Sequence, residues 1–113
     1  MKLGKKQELF VRLIHQLKGF IFEQGYDIRE GDAFRDPRVH GEWGEKKGYG
    51  SAYSVHKLKL ANDINLFKDG MYLTKTEDHK VFGEYWESLH PLCRWGGRWN
   101  DGNHYSLEHE GKK

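Results

Sequence analysis

Residues 58–73 read Leu58-Lys59-Leu60-Ala61-Asn62-Asp63-Ile64-Asn65-Leu66-Phe67-Lys68-Asp69-Gly70-Met71-Tyr72-Leu73. Leu58, Leu60, Ile64 and Leu66 fall at alternate positions, the period of a strand with one buried face, so a strand is predicted over Leu58 to Phe67. Lys68-Asp69-Gly70 reads as a hairpin turn, because Asp-Gly accepts the positive φ of a tight turn, and it feeds a second strand over Met71 to Leu73.

Upstream, Phe10, Leu13, Ile14, Leu17 and Ile21 recur at steps of three and four, which predicts an amphipathic helix from Lys6 to Gln24 closed by Gly25. A short strand over Tyr26 to Arg29 follows. Glu30 to Tyr53 is a long, charged, glycine-rich stretch containing Pro37, and a connection of that length in so small a chain is usually functional or mobile. Downstream, Thr74 with Glu77 three residues later is a capping-box signature, predicting a helix from about Lys75 to Leu89 stopped by Pro91. The chain then passes Trp95-Gly96-Gly97-Arg98-Trp99, turns at Asn100 to Gly102 and ends in a strand around Asn103 to Leu107. The expected class is α+β: a small, mostly antiparallel sheet with packed helices, in one domain over residues 1–113.

With 113 residues, 36% of them hydrophobic, the chain can bury one small core. Nineteen Lys and Arg against seventeen Asp and Glu leave a formal charge of +2, too balanced for the concentrated basic face that phosphate contacts need, so no nucleic-acid partner is expected. The basic start, Met1 to Lys6, precedes an apolar stretch, but Arg12, His15 and Lys18 interrupt it and no small-residue cleavage site follows. No run of eighteen apolar residues exists. No signal peptide, no membrane span and a cytoplasmic location are therefore expected. The single cysteine, Cys93, excludes an internal disulfide and any Cys-rich zinc module, so a metal would have to be held by histidine and carboxylate.

Seven histidines make such a site possible. His56 and Asp63 are seven apart, in a segment that bends from loop into strand, and both could point at one metal. A surface His near a strand Asp accounts for the same spacing, since seven His and seven Asp should produce roughly one such pair in every two sequences by chance. The setting of Asp63 among Leu60, Ile64, Leu66 and Phe67 favours a partnered carboxylate, because an unpaired one would be costly there, and a metal is one such partner. Asp101 and His104 have a three-residue spacing that can put both on one side of a turn. Glu87 and His90 share that spacing, but at the end of the predicted second helix they read as an exposed surface pair, with His90 suiting the helix carboxyl end.

Ser54-Val55-His56 followed by Ala61-Asn62-Asp63 resembles the S-x-H-x-x-G-x-A-x-D motif of the zinc D-alanyl-D-alanine peptidases. That family includes D,D-carboxypeptidases, D,D-dipeptidases and the L-alanyl-D-glutamate endopeptidases used as phage endolysins. Trp95-Gly96-Gly97-Arg98-Trp99 with Asp101-Gly102-Asn103-His104-Tyr105 resembles the endolysin branch, where W-G-G-x-W precedes D-x-x-H and an aromatic. Ala33-Phe34-Arg35 looks like the family's upstream G-Y-R stretch. The resemblance runs from about Tyr26 to Glu108 and departs from the pattern at Lys59, which stands where the family usually has glycine and implies a locally different loop.

The resemblance implies a Hedgehog/D,D-peptidase-like zinc peptidase fold, with Zn²⁺ held by His56, Asp63 and His104, and Asp101 as the catalytic carboxylate. It places Arg35 at the substrate, steadying the developing oxyanion or gripping a carboxylate, and makes Ser54 a substrate hydrogen-bond donor, although a turn-forming serine is an equal alternative. The implied function is a monomeric hydrolase, a metallopeptidase cutting an amide bond in the peptide stem of bacterial peptidoglycan. The first expectation is an L-alanyl-D-glutamate endopeptidase, a bacteriophage endolysin held in the host cytoplasm until it reaches the cell wall. A D-alanyl-D-alanine carboxypeptidase and a non-catalytic zinc-stabilised wall-binding module are the alternatives. Among the remaining residues, Phe82, Tyr85 and Trp86 read as core, Trp95 and Trp99 as core or rim packing, Cys93 as a small buried residue and His79 as a helix-surface residue. His15 and His40 receive no ligand role.

Overall fold

The apolar stripe of the first helix and the alternate apolar residues of the central strand meet in one core of fifteen buried side chains. The computed structural model describes residues 1–113. Helix α1 (Leu3–Glu23) buries Phe10, Leu13, Leu17 and Ile21, as its spacing predicts, and begins three residues earlier than expected. Lys6 is drawn into the packed face because its Nζ donates to the Glu108 carbonyl at 3.1 Å and lies 3.1 Å from His109 Nδ1. After Gly25, at φ +87°, comes strand β1 (Asp27–Glu30). A single turn of helix, α2 (Pro37–His40), is capped by Asp36, whose carboxylate accepts from the Arg38 N–H.

Strands β2 (Ala61–Lys68) and β3 (Met71–Leu73) form the expected hairpin. Asp69 and Gly70, both at positive φ, occupy a two-residue turn that sets Lys68 opposite Met71. The strand starts three residues later than the alternation suggests, because Val55–Leu58 winds into a 3-10 turn. Helix α3 (Lys80–Leu89) is entered through a second 3-10 turn, Thr76–His79. The cap differs from the expected one: the Lys75 N–H donates to Asp78 Oδ2 at 3.0 Å, and Thr74 with Glu77 forms no box. Strand β4 (Cys93–Trp95), unforeseen because no hairpin turn joins it to a neighbouring strand in sequence, precedes a third 3-10 turn, Gly96–Trp99, and strand β5 (His104–Leu107).

All strand pairs are antiparallel, in the order β1-β2-β5-β4, with β3 also on β2. The result is an α+β fold with a small antiparallel sheet and a few helices. Along β2, Asn62, Ile64 and Leu66 are buried while Asp63, Asn65 and Phe67 are half-buried, so the two sets face opposite sides of the sheet. Trp86 fastens α3 to the sheet by donating its indole N–H to the Arg94 and Ser106 carbonyls. The stretch from Glu30 to Tyr53 is organised by the buried Lys57, whose ammonium donates to the carbonyls of Glu42, Glu45 and Ala52. No helix is long and apolar enough to cross a membrane.

Candidate metal centre

Three pieces of backbone carry the three expected ligands to one point. His56 sits in the 3-10 turn that Ser54 caps, the Ser54 Oγ accepting from the His56 N–H. Lys59 ends that turn in the left-handed conformation, φ +60°, and sends the chain into β2. An L-residue pays roughly 1–2 kcal/mol to adopt that conformation, which glycine takes freely. Lys59 takes up this left-handed turn despite its side chain. Asp63 on β2 lies directly opposite His104 on β5 in the strand register.

His104 is delivered by a tightly packed loop. The Asp101 N–H donates to the Gly96 carbonyl at 2.8 Å and the His104 N–H to the Asp101 carbonyl at 3.1 Å. A methyl group on Gly96 would collide with that Asp101 carbonyl and with His104 Cβ, so this glycine permits the approach. Trp95 is core, its indole N–H donating to the Gly102 carbonyl at 2.7 Å, while Trp99 is rim, partly exposed and edge-on to His104.

One ligand atom from each of His56, Asp63 and His104 lies within 4.8 Å of the others. His56 Nε2 is 3.3 Å and His104 Nδ1 3.4 Å from Asp63 Oδ1, and neither contact has hydrogen-bond geometry. His56 Nδ1 lies 2.7 Å from the Ala33 carbonyl, which can only accept, so Nδ1 carries the proton and Nε2 of the neutral ring offers a lone pair. That nitrogen faces a carboxylate oxygen, so either a proton on Nε2 or a cation between the two satisfies the contact. His56 Nε2, Asp63 Oδ1 and His104 Nε2 are all buried without a hydrogen-bond partner. Burial raises the Asp63 carboxyl, and the His104 and His56 imidazoles, in their protonated form, outweigh it and hold it down at about 2. Two imidazoles and a carboxylate, each with a buried unsatisfied atom and with the Nδ1 of His56 fixed by a carbonyl, form a set that could hold a metal ion.

His56 and His104 line a cleft of ≈ 170 Å³ together with Arg35, Ser54, Trp99 and Asp101, among others. Asp101 is exposed and is not part of the three-residue cluster. Arg35 is held from two sides, Nη1 donating to Ser54 Oγ at 2.9 Å and Nε to Asp32 Oδ2 at 3.3 Å. Ser54 thus forms the turn and braces Arg35, and its own proton remains available to the cleft. Tyr49, whose hydroxyl donates to the same Asp32 oxygen at 2.7 Å, completes a brace that the sequence hid. The Asp32 to Arg35 spacing of three was its only visible trace.

His79 corrects an expectation: it is buried, not on the helix surface, and its Nδ1 lies 2.7 Å from the Tyr105 hydroxyl. His90 takes the Leu92 N–H, and Glu87 pairs with Arg98, so those two residues form no site. His40 is buried against the Tyr49 carbonyl, and Cys93 is buried with its thiol pushed up to about 12 by desolvation. Comparison with protein-family models, curated proteins and solved structures finds no match to this chain.

Proposed function

We propose that the chain is a zinc metallopeptidase of the D-alanyl-D-alanine peptidase type, hydrolysing an amide bond in the peptide stem of bacterial peptidoglycan, foremost the L-alanyl-D-glutamate bond. The observation that carries this reading is the trio of His56, Asp63 and His104, with buried unpartnered ligand atoms, whose two imidazoles line a cleft that Asp101 and Arg35 also line. Two neutral imidazoles and one carboxylate are a catalytic rather than a structural zinc set, since three protein ligands leave a position open. A zinc ion held by these residues supplies Lewis-acid polarisation of the amide carbonyl and makes water a better nucleophile.

The chain's own residues do the rest. Asp101, exposed in the cleft, accepts a proton from the attacking water and hands it to the leaving amine, the part of a general base that becomes a general acid. Arg35, already braced by Ser54 and Asp32, needs no reorganisation to place a donor at the developing oxyanion or at a substrate carboxylate. His56 keeps its tautomer through the Ala33 carbonyl. The proposed setting is that of a phage lysis enzyme acting on the cell wall. A second reading, a D-alanyl-D-alanine carboxypeptidase, draws on the same Arg35, a fixed cation in the cleft that suits a free terminal carboxylate.

The test is to incubate the zinc-loaded protein with purified peptidoglycan and identify the products by mass spectrometry. New alanyl carboxyl and glutamyl amino ends support the endopeptidase. Released D-alanine supports the carboxypeptidase. Binding to peptidoglycan without cleavage would replace both with a zinc-stabilised wall-binding module.

A further inference from the structure

A second polar cleft adjoins the first, and Asp101 lines both. Its cause lies in the sheet: β3 and β5 pair along the same edge of β2, at residues 66–68 and 61–63, and leave Ile64 and Asn65 without a neighbouring strand there. The gap between the two strands is ≈ 200 Å³ and is lined by Asn65, Tyr72, Thr74, His79, Asn100 and Asn103, with Lys75 and Asp101 as its charged groups. That is room for about six or seven waters at their liquid share of about 30 Å³ each, or for one substituted six-membered ring.

The free hydrogen-bonding groups in this gap are mostly uncharged and of both kinds. Asn65 Oδ1 accepts from Asn103 Nδ2 at 3.1 Å and from the Tyr72 hydroxyl at 3.3 Å, which leaves Asn65 Nδ2 as a donor and Asn103 Oδ1 as an acceptor. His79 spends Nδ1 on Tyr105, so its Nε2 adds one more group, and burial keeps the ring neutral. Tyr72, half exposed and stacked on Phe67 at 4.9 Å, offers an aromatic face at the mouth. An aliphatic side chain would find almost no apolar wall here. A phosphate or carboxylate would meet one lysine offset by one aspartate. A ring bearing hydroxyls and an amide matches donor to acceptor throughout.

We propose that this second cleft binds an N-acetylated pyranose ring, the muramic sugar to which the peptide stem is attached. The assignment rests on the peptidase reading, under which a scissile bond beside His56, Asp63 and His104 continues past Asp101 into the gap. The L-alanyl residue is the one joined to that sugar, so cleavage after it places the sugar one unit from the metal centre.

Two measurements test it. In the first, the metal-free protein is titrated with the methylamide of N-acetylmuramic acid, uncharged like the stem-linked sugar, and followed by amide NMR. Shifts confined to Asn65, Tyr72, His79 and Asn103 are expected; no shift in them, or shifts elsewhere only, overturns the proposal whether or not the protein is a peptidase. In the second, the zinc-loaded protein is given the same stem peptide either free or attached to its sugar. The sugar-linked form should be cleaved with a kcat/KM about tenfold higher, and Asn65→Ala should bring that ratio to about one, as loss of one or two hydrogen bonds predicts. Equal rates in the unmutated protein overturn the sugar site and leave the peptidase standing. Cleavage of neither form, with NMR shifts present, defeats the peptidase and leaves a sugar-binding cleft.

Discussion

His79 should make this protein acid-sensitive over a defined pH window. Its side chain is buried against Tyr105, and desolvation lowers its pKa from 6.5 to about 4, with Asp78 opposing only weakly. Because the folded-state value is depressed, the unfolded chain takes up the proton first. Stability from this residue is complete above pH 6.5, falls as pH drops from there to about 4, and is flat below, where both states are protonated. At 1.36 kcal/mol per unit the loss amounts to about 3 kcal/mol, a large part of the 5–15 kcal/mol typical of a whole domain. For a chain of this size that is a fall in Tm of roughly 10 °C. The assay is urea unfolding followed by tryptophan fluorescence at several pH values between 4 and 7.5, with EDTA present to remove metal. Carboxylates also titrate near the lower limit, so the informative quantity is the difference between the parent and His79→Gln, which keeps an acceptor for the Tyr105 hydroxyl. That difference should shrink by about 3 kcal/mol from pH 7.5 to pH 4. A constant difference, or a His79 imidazole that titrates near 6.5 by NMR, would refute the reasoning.

At the metal centre, His56→Ala, Asp63→Ala and His104→Ala should each lower zinc content measured by atomic emission after dialysis, while His90→Ala keeps it; zinc retained by His104→Ala would remove that residue from the set. Asp101→Asn should hold zinc and lose turnover by about 10²- to 10⁴-fold, the usual worth of a general base, and release of the metal would make Asp101 a ligand instead. Arg35→Lys should lower kcat/KM with little change in the urea midpoint, since lysine retains the charge but cannot reach Ser54 and Asp32 with one planar fork. Lys59→Gly should raise the unfolding free energy by roughly 1 kcal/mol by relieving the left-handed backbone, and a lower urea midpoint would show that the lysine side chain stabilises more than its conformation costs.

Local pattern was enough for what depends on near neighbours. The spacing of Phe10, Leu13, Leu17 and Ile21 marked the buried face of α1, and Asp69-Gly70 marked the hairpin, because a helix stripe and a two-residue turn are set within a few residues of chain. The candidate ligands were also legible, as residue types at motif spacing. Short elements without a local turn signal were not: β4 pairs only with a strand nine residues further on, and the 3-10 turn that carries His56 hides inside an apolar alternation that continues past it.

What tertiary structure decided was distance between segments far apart in sequence. Only the β2–β5 register sets Asp63 opposite His104, and only the left-handed turn at Lys59 brings His56 back over both. The bracing of Arg35 by Asp32, Ser54 and Tyr49 joins three loop positions that have no common period, and the gap beside Asn65 exists because two strands share one edge of a third and stop short of each other. His79 shows the same division from the other side. Its sequence neighbours are polar and suggest a surface, yet Tyr105, twenty-six residues on, supplies the partner that lets it be buried. Burial and partnership are properties of the packed chain, and no window of sequence contains both members of such a pair.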